Sequence, residues 1–297
     1  MSEEERETLL ALEERIKTLL PAAYQECYED VQPVSMGSAG LKYGEDGKVA
    51  WNEIWATFCD LAMAGGPPHK GTLLEPGTAA EIAEQSGAYR EVAAEICRGV
   101  GLATELTAEP GEADGWVRVQ CESAAMAGWL MRAITMENVS SRCTGDVLEL
   151  PAGPGFRLAK EVKNVITSIA KTSHYWLDHM WSSQHREIAA LFARMAEEMP
   201  LVEPGAVSPG AYEAAASRLG LPGDGQRYAG WIGVECMDAA AAIWMMRALA
   251  ASNVLARREE TTLFLPLNPA SDPGGKIIAE RLAQIQRFAA ARTSSSS

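Results

Sequence analysis

Apolar residues recur at helical spacing in two stretches near the start of the chain. Over residues 3–20 the leucines and isoleucines fall on one side of a helix, and Pro21 ends the pattern. The apolar positions of residues 49–64 predict a second helix, which the glycines and prolines of 65–68 terminate. Residues 21–48 are rich in glycine and turn-forming residues, so we expect a loop between these helices.

Later helices are indicated by a cap signal and by periodicity. Thr78 and Glu81 have the spacing of a capping box, which predicts a helix over about 79–99. Two further helical patterns cover about 156–198 and about 274–291. We therefore expect long helices on either side of the segments described next.

An internal repeat lies between these helical stretches. Residues 115–151 align without gaps to residues 230–266, with about 17 identities in 37 positions. The identities include rare residue types, so an internal duplication explains the match better than chance. Three of the identical pairs are Trp116 with Trp231, Cys121 with Cys236, and Trp129 with Trp244.

Each copy of the repeat is predicted to form a strand, a helix and a second strand. Alternation predicts first strands at 116–121 and 231–236, and second strands at 142–150 and 257–265. A serine or aspartate caps the helix between them, and an asparagine ends it. Valine, isoleucine and cysteine share one face of each first strand, and this face is expected to lie under the helices.

The order of these elements predicts the fold class. Two strand–helix–strand units in tandem match the β-α-β-β-α-β plan of ferredoxin-like folds. We therefore expect an α+β protein whose duplicated units form one four-stranded ferredoxin-like sheet, with a helical insertion between the repeats. The predicted domains are a helical N-terminal subregion over 1–78, a first repeat over 79–198, a second repeat over 199–292 and a disordered tail over 293–297.

Charge and cysteine usage narrow the set of partners and compartments. The 297 residues carry a formal net charge of −14, whereas nucleic acid and anionic membranes bind basic surfaces, so neither is an expected partner. No apolar run is long enough to span a bilayer, the N-terminal residues lack a signal-peptide pattern, and the six cysteines form no CxxC pair. We expect a cytoplasmic homo-oligomer that binds a small molecule.

The loop from Gly65 to Thr72 is the first candidate for chemistry. Its glycines allow a ligand to approach the backbone closely, and its prolines stiffen it. His69 can transfer a proton near neutral pH, Lys70 can hold an anion, and Thr72 can donate a hydrogen bond. The loop is not a Walker A motif, because the lysine precedes the second glycine. The alternative is a rigid helix terminator with a solvated His-Lys tip.

The polar face of the predicted first strands supplies the other candidate residues. Tryptophan can stack on a flat ligand, and arginine can neutralise an anion. Our first hypothesis is a site for a flat anionic molecule between the loop and the sheet, with His69 as its catalytic residue. Whether the protein is an enzyme, and whether it uses a cofactor, stays open. The expected ligand-binding residues are Lys70, Thr72, Trp116, Arg118, Gln120, Trp231 and Glu235.

A second hypothesis uses the same strand face as an interface. Tryptophan and arginine are typical interface anchors, so the protein would be a non-catalytic oligomerising or regulatory protein. Arginines repeated in both copies favour either a symmetric anion site or roles at helix ends and in ion pairs. The repeated pairs are Arg132 with Arg247 and Arg142 with Arg257.

A third, weaker hypothesis concerns the segment His174–His185, which holds three of the four histidines. On a helix, His174, Asp178 and His185 share one face, which suggests binding of a divalent metal or a tetrapyrrole. The two histidines are about 16 Å apart on a straight helix, so one ion joins them only if the helix breaks near Ser182. The alternative is an aromatic and polar packing face, and no metal ligand is assigned.

Overall fold

The computed structural model describes residues 1–25, 40–54, 61–221 and 227–295. These residues form α helices and antiparallel β sheets, so the α+β class is confirmed. The helices are α1 (Glu3–Leu19), α2 (Ala22–Gln25), α3 (Ala79–Glu84), α4 (Ser86–Thr104), α5 (Ala124–Met136), α6 (Lys163–His179), α7 (Ser182–Glu198), α8 (Pro209–Leu219), α9 (Ala239–Ala250) and α10 (Lys276–Ser295). The strands are β1 (Thr107–Pro110), β2 (Trp116–Gln120), β3 (Arg142–Thr144), β4 (Val147–Pro151), β5 (Arg227–Tyr228), β6 (Trp231–Glu235), β7 (Arg257–Glu259) and β8 (Thr262–Pro266).

The chain divides into two compact units. The middle unit is the single segment Val31–His185, and the terminal unit joins Met1–Asp30 to Arg186–Ser297. Each unit contains one copy of the sequence repeat and one four-stranded sheet. Helix α1 belongs to the terminal unit because its apolar stripe is buried and packs against α9.

The two sheets have the same strand order. The middle unit has β1-β2-β4-β3 and the terminal unit has β5-β6-β8-β7, with antiparallel neighbours throughout. Val117 on β2 is in register with Leu150 on β4, and Ile232 on β6 is in register with Leu265 on β8. All four side chains are buried, which confirms the apolar strand faces predicted from alternation.

The single ferredoxin-like sheet expected from the sequence is not confirmed. Each predicted second strand is a hairpin, β3–β4 or β7–β8, so each repeat contributes to a sheet of its own in the described residues. The hairpins turn at residues with left-handed backbone, Gly145 with φ 59° and Glu260 with φ 51°. Glutamate rarely adopts this conformation, so the second turn has a weak sequence signal.

Two of the predicted helices differ from the expectation in the residues that the structure describes. Within 49–64 the structure has 3-10 turns at Trp51–Glu53 and Ala62–Ala64, and residues 55–60 lie outside the described part. The helix expected over 156–198 begins with a π-helical turn at Leu158–Val162 and breaks between α6 and α7. π-helical turns are rare and occur often at functional sites.

Matched glycine contacts occur in the two units. Gly115 has φ 87°, and a Cβ there would lie 2.8 Å from the carbonyl oxygen of Gly77. Gly230 has φ 75°, and a Cβ there would lie 2.8 Å from the carbonyl oxygen of Gly205. Only glycine fits these positions, so a Glu-Pro-Gly segment packs against the start of the central strand in each unit.

Candidate functional site

The predicted site residues of the first repeat lie on β2 and have partners within the chain. The guanidinium of Arg142 lies 4.2 Å from the ring centre of Trp116. Arg118 donates to Glu112 at 3.0 Å, and Gln120 donates to a neighbouring backbone carbonyl at 3.1 Å. These contacts are those of a packed, partly solvated sheet face.

The predicted residues of the second repeat, Trp231 and Glu235, lie on β6. Because β2 and β6 belong to different sheets, the strand residues do not share one sheet face. Trp231 is buried, and the guanidinium of the fully buried Arg257 lies 4.0 Å from the ring centre of Phe264. Glu235 accepts hydrogen bonds from two threonines of the β7–β8 turn region. Trp231, one of the residues that the interface hypothesis places on the interacting face, is buried.

The other repeated arginines also have structural partners. Arg132 is buried on α5 and donates to the carbonyl oxygen of Gly128 at 2.9 Å. Arg247 is buried on α9, and Arg142 donates to Glu149 at 2.6 Å. These positions favour helix-end and ion-pair roles over a symmetric anion site.

A buried carboxylate holds the Gly65–Thr72 loop in place. Glu137, at the end of α5, accepts hydrogen bonds from the backbone N–H groups of Ala62 and His69, each at 2.9 Å. The ammonium of Lys171 on α6 lies 2.9 Å from the same carboxylate, and both side chains are buried. A buried ion pair is favourable only when further hydrogen bonds satisfy its charges, and the two backbone donors do this for Glu137.

Backbone geometry at Asn138 completes the anchoring. Asn138 has φ 59°, as its predicted role at the helix end requires, and its side-chain amide donates to the carbonyl oxygen of Lys70 at 3.0 Å. The N–H of Lys70 donates to the carbonyl oxygen of Glu137 at 3.2 Å. His69 is half-buried and Thr72 is exposed at the end of the loop. The loop is therefore rigidly tied to the end of α5.

The anchored loop faces a group of basic residues, which we call the basic cluster. The positive charges of Lys171 and Lys163 act on His69, and those of Lys160 and Arg157 act on Lys70. Two carboxylates lie among these cations: Glu161 accepts a hydrogen bond from Arg157, and Glu137 pairs with Lys171. Five positive and two negative groups give a net charge of +3. The basic cluster consists of Lys70, Arg157, Lys160, Lys163 and Lys171.

The electrostatics of the loop follow from burial and from this positive charge. Burial, with the charges of Lys171 and Lys163, holds the pKa of His69 well below its usual range, so the imidazole is neutral at pH 7. Burial also lowers the pKa of Lys70. The Arg157 guanidinium lowers the pKa of Glu161 to about 2. The site thus combines a neutral imidazole with several fixed cations.

The position of the basic cluster opposes the usual charge pattern of a helix. Acidic residues stabilise helix N-termini, as the first turn of α1 illustrates with three glutamates. The helical segment that starts at Leu158 has basic Arg157, Lys160 and Lys163 at the same end, and no side-chain cap. Glu161 in the first turn offsets part of this charge, because its carboxylate accepts hydrogen bonds from the backbone N–H and the guanidinium of Arg157.

The matched helix of the terminal unit shows what such a negative charge does. There the buried carboxylate of Asp272 accepts hydrogen bonds from the N–H groups of Ile277 and Ile278, at 2.9 and 3.1 Å. Helix α10 therefore has a buried anion at its start, whereas the segment at Leu158 has Arg157 at its N-cap and the carboxylate of Glu161 in its first turn.

A buried hydroxyl group lies on the same face of α6. Thr167 is four residues from both Lys163 and Lys171, which places the three side chains on one stripe. The hydroxyl oxygen of Thr167 is shielded from solvent and has no hydrogen-bond partner within the described ranges. Buried hydroxyl groups normally have partners, so this group suggests an additional ligand or water.

Sequence reasoning identified the loop but missed Glu137, Lys171 and the basic start of the helix. The sequence does contain a signal for Glu137. The repeat aligns it with Ser252, so the two copies differ in chemistry at this position. Lys171 lies among apolar residues of α6, where an unpaired lysine would be costly. Recognising that Glu137 and Lys171 form an ion pair requires knowing that α5 and α6 are adjacent.

A cavity of the middle unit has chemistry different from that of the basic cluster. A cleft of about 370 Å³ has aromatic walls from Tyr43 and Phe156. Its charged lining consists of Glu91 and Glu95 against Lys48. Its size suits a small molecule, but its acidic lining does not suit an anion.

The histidine segment breaks, as one metal hypothesis required, but His185 does not join His174. His185 stacks on Trp176 with 4.1 Å between ring centres. His174 instead contacts Asp178 at 2.7 Å and His179 at 3.2 Å. Within the described ranges, no group of three or more His, Cys, Asp or Glu side chains is arranged to hold a metal ion.

Comparisons with protein-family models, curated proteins and solved structures found no match to this chain. Among the helices that the structure describes, none is both long and apolar enough to cross a membrane. Function must therefore be inferred from the site itself.

Proposed function

We propose that the middle unit binds a small anionic ligand between the Gly65–Thr72 loop and the first turns of the helical segment 158–179. The observation that carries this proposal is the basic cluster, which gathers a net charge of +3 in a chain of net charge −14. Clustered cations repel one another in the free protein, so an anion bound there gains their combined attraction.

Each residue has a distinct role in this proposal. Lys160 and Lys163 neutralise the ligand, and Lys70 approaches it from the loop. Lys171 is held by Glu137 and fixes the loop against α6. His69, kept neutral, accepts a hydrogen bond from the ligand, and the sequence predicts it as the catalytic residue of this site.

The test measures ligand-dependent stability with inorganic phosphate and malonate as probes. Ligand that binds only the folded state raises the unfolding free energy, by about 2.7 kcal/mol at a hundredfold excess over Kd. We expect either probe to raise Tm relative to sodium chloride at equal ionic strength. The double variant Lys160→Gln/Lys163→Gln should lose this rise.

The matched control is the double variant Lys17→Gln/Lys276→Gln. It removes the same charge from two exposed lysines of the terminal unit, each near a glutamate of its own helix. It should keep the full response to the probes. Equal responses in all three proteins, or none with either probe, would overturn the proposal.

We further propose that the two units arose by internal duplication. This is supported by the aligned repeat, the equal strand orders and the matched glycine contacts. A homo-oligomer and a cytoplasmic location stay predictions, and light scattering of the purified chain tests the first.

A further inference from the structure

The last turns of α6, before its break from α7, place two histidines and a carboxylate close together. His174 and His179 lie on the last turns of α6, and Met180 leaves the helix with extended backbone. Their Nε2 atoms are 3.2 Å apart. We propose that His174 and His179 form a two-histidine site for a divalent transition-metal ion, separate from the basic cluster.

The distance between the two nitrogens fits ligation of one ion. With metal–nitrogen bonds of about 2.1 Å, a separation of 3.2 Å corresponds to a ligand–metal–ligand angle of about 100°. This angle lies between those of octahedral and tetrahedral sites. The ring centres are 4.9 Å apart, so the rings approach each other through their Nε2 atoms rather than by stacking.

Asp178 gives the pair the support that metal-binding histidines usually have. The Nδ1 atom of His174 lies 2.7 Å from the Asp178 carboxylate. A proton on Nδ1 that is donated to this carboxylate leaves the Nε2 lone pair available for an ion. In the metal-free protein that lone pair accepts a hydrogen bond from Nε2 of His179, and metal binding requires His179 to carry its proton on Nδ1 instead.

Access and ligand type define the metal class. The His174 side chain is 31% exposed, Asp178 is 65% exposed, and His179 is exposed, so an ion from solvent can reach the site. Imidazole nitrogen suits zinc, nickel and copper rather than magnesium or calcium. Two protein ligands leave coordination positions for water, so the site is an open one.

The test is isothermal titration of the metal-free full chain with zinc and nickel chlorides. We expect one ion to bind per chain. In a third titration, copper should bind more tightly than either zinc or nickel, as the general affinity series predicts. His174→Gln and His179→Gln should each lower the affinity at least tenfold. Asp178→Asn should lower it about 10- to 100-fold, because the carboxylate orients a ligand.

The control is His185→Gln, which removes a histidine of the same segment that stacks on Trp176. It should bind as the unaltered chain does, with circular dichroism confirming that all four variants are folded. No binding by the unaltered chain, or an affinity that either single replacement of His174 or His179 leaves unchanged, overturns the proposal. The Lys160→Gln/Lys163→Gln variant should bind metal normally, which separates this site from the proposed anion site.

Discussion

The ammonium of Lys171 lies 2.9 Å from the carboxylate of Glu137, with the side chains 2% and 0% exposed. The same carboxylate accepts the backbone N–H groups of Ala62 and His69. This contact therefore connects α5, α6 and the candidate loop. Its removal should affect both folding stability and the geometry of the anion site.

Glu137→Ser tests this connection, because Ser252 occupies the matched position of the terminal unit. The replacement leaves the Lys171 charge buried without its carboxylate and should lower the unfolding free energy by about 3–5 kcal/mol. Urea unfolding measures the loss. The double variant Glu137→Ser/Lys171→Met removes the stranded charge as well, and should be more stable than Glu137→Ser alone.

Ser252→Ala is the matched control and should change the unfolding free energy by no more than about 0.5 kcal/mol. Equal losses from Glu137→Ser and Ser252→Ala would show that the ion pair adds nothing. A double variant less stable than Glu137→Ser would contradict the stranded-charge explanation.

Local features of the fold were predictable from the sequence, and pairing between distant segments was not. The alternation that buries Val117 and Ile232 and the asparagine at position 138 are short-range patterns, and the structure confirms them. The choice between one shared sheet and two separate sheets depends on which strands meet. The turn at Glu260 is hidden in the sequence because its residue type does not signal left-handed backbone.

The same limit applies to the candidate site. Glycines and prolines identify the loop around His69 without any knowledge of the fold. Lys163 and Lys171 appear in the sequence as two charges on an amphipathic helix, and only their position beside His69 gives them a joint role.

Gly115→Ala should be more destabilising than Gly145→Ala. Both glycines have positive φ, which costs an alanine about 1–2 kcal/mol. At Gly115 the added Cβ would also lie 2.8 Å from the backbone carbonyl oxygen of Gly77, whereas at Gly145 no atom lies within 4 Å. Thermal unfolding of the two variants measures the difference, and equal losses would exclude the packing explanation.

The thiols of Cys121 and Cys236 should react slowly in the native protein. Burial raises the pKa of Cys121 to about 12 and that of Cys236 to about 11. Both thiols are protonated at pH 8 and are poor nucleophiles, since the thiolate is the reactive form. Iodoacetamide labelling followed by peptide mass spectrometry should show much slower modification of Cys121 in native protein than in urea.

These raised pKa values also predict a decrease in stability at alkaline pH. An unfolded chain ionises its cysteines near their usual pKa of 9.0, whereas the folded chain keeps Cys121 and Cys236 protonated to higher pH. The unfolding free energy therefore falls as pH rises from 9 towards 11. Replacing Cys236 with serine should reduce this slope, and an unchanged slope would contradict the assignment.

His69 should make the protein less stable as pH falls. Its folded-state pKa lies well below the unfolded value of 6.5, so below pH 6.5 the unfolded chain binds a proton that the folded chain does not. The resulting loss approaches about 1.4 kcal/mol per pH unit from this residue. Urea unfolding between pH 7.5 and 5.0 should show a smaller slope of unfolding free energy against pH for His69→Gln than for the unaltered chain.

Chloride is used as the only added anion, because phosphate in the buffer would add its own stabilisation at the basic cluster. Identical slopes would mean that His69 takes up a proton as readily in the folded protein as in the unfolded chain, and would remove the neutral imidazole from the proposed site.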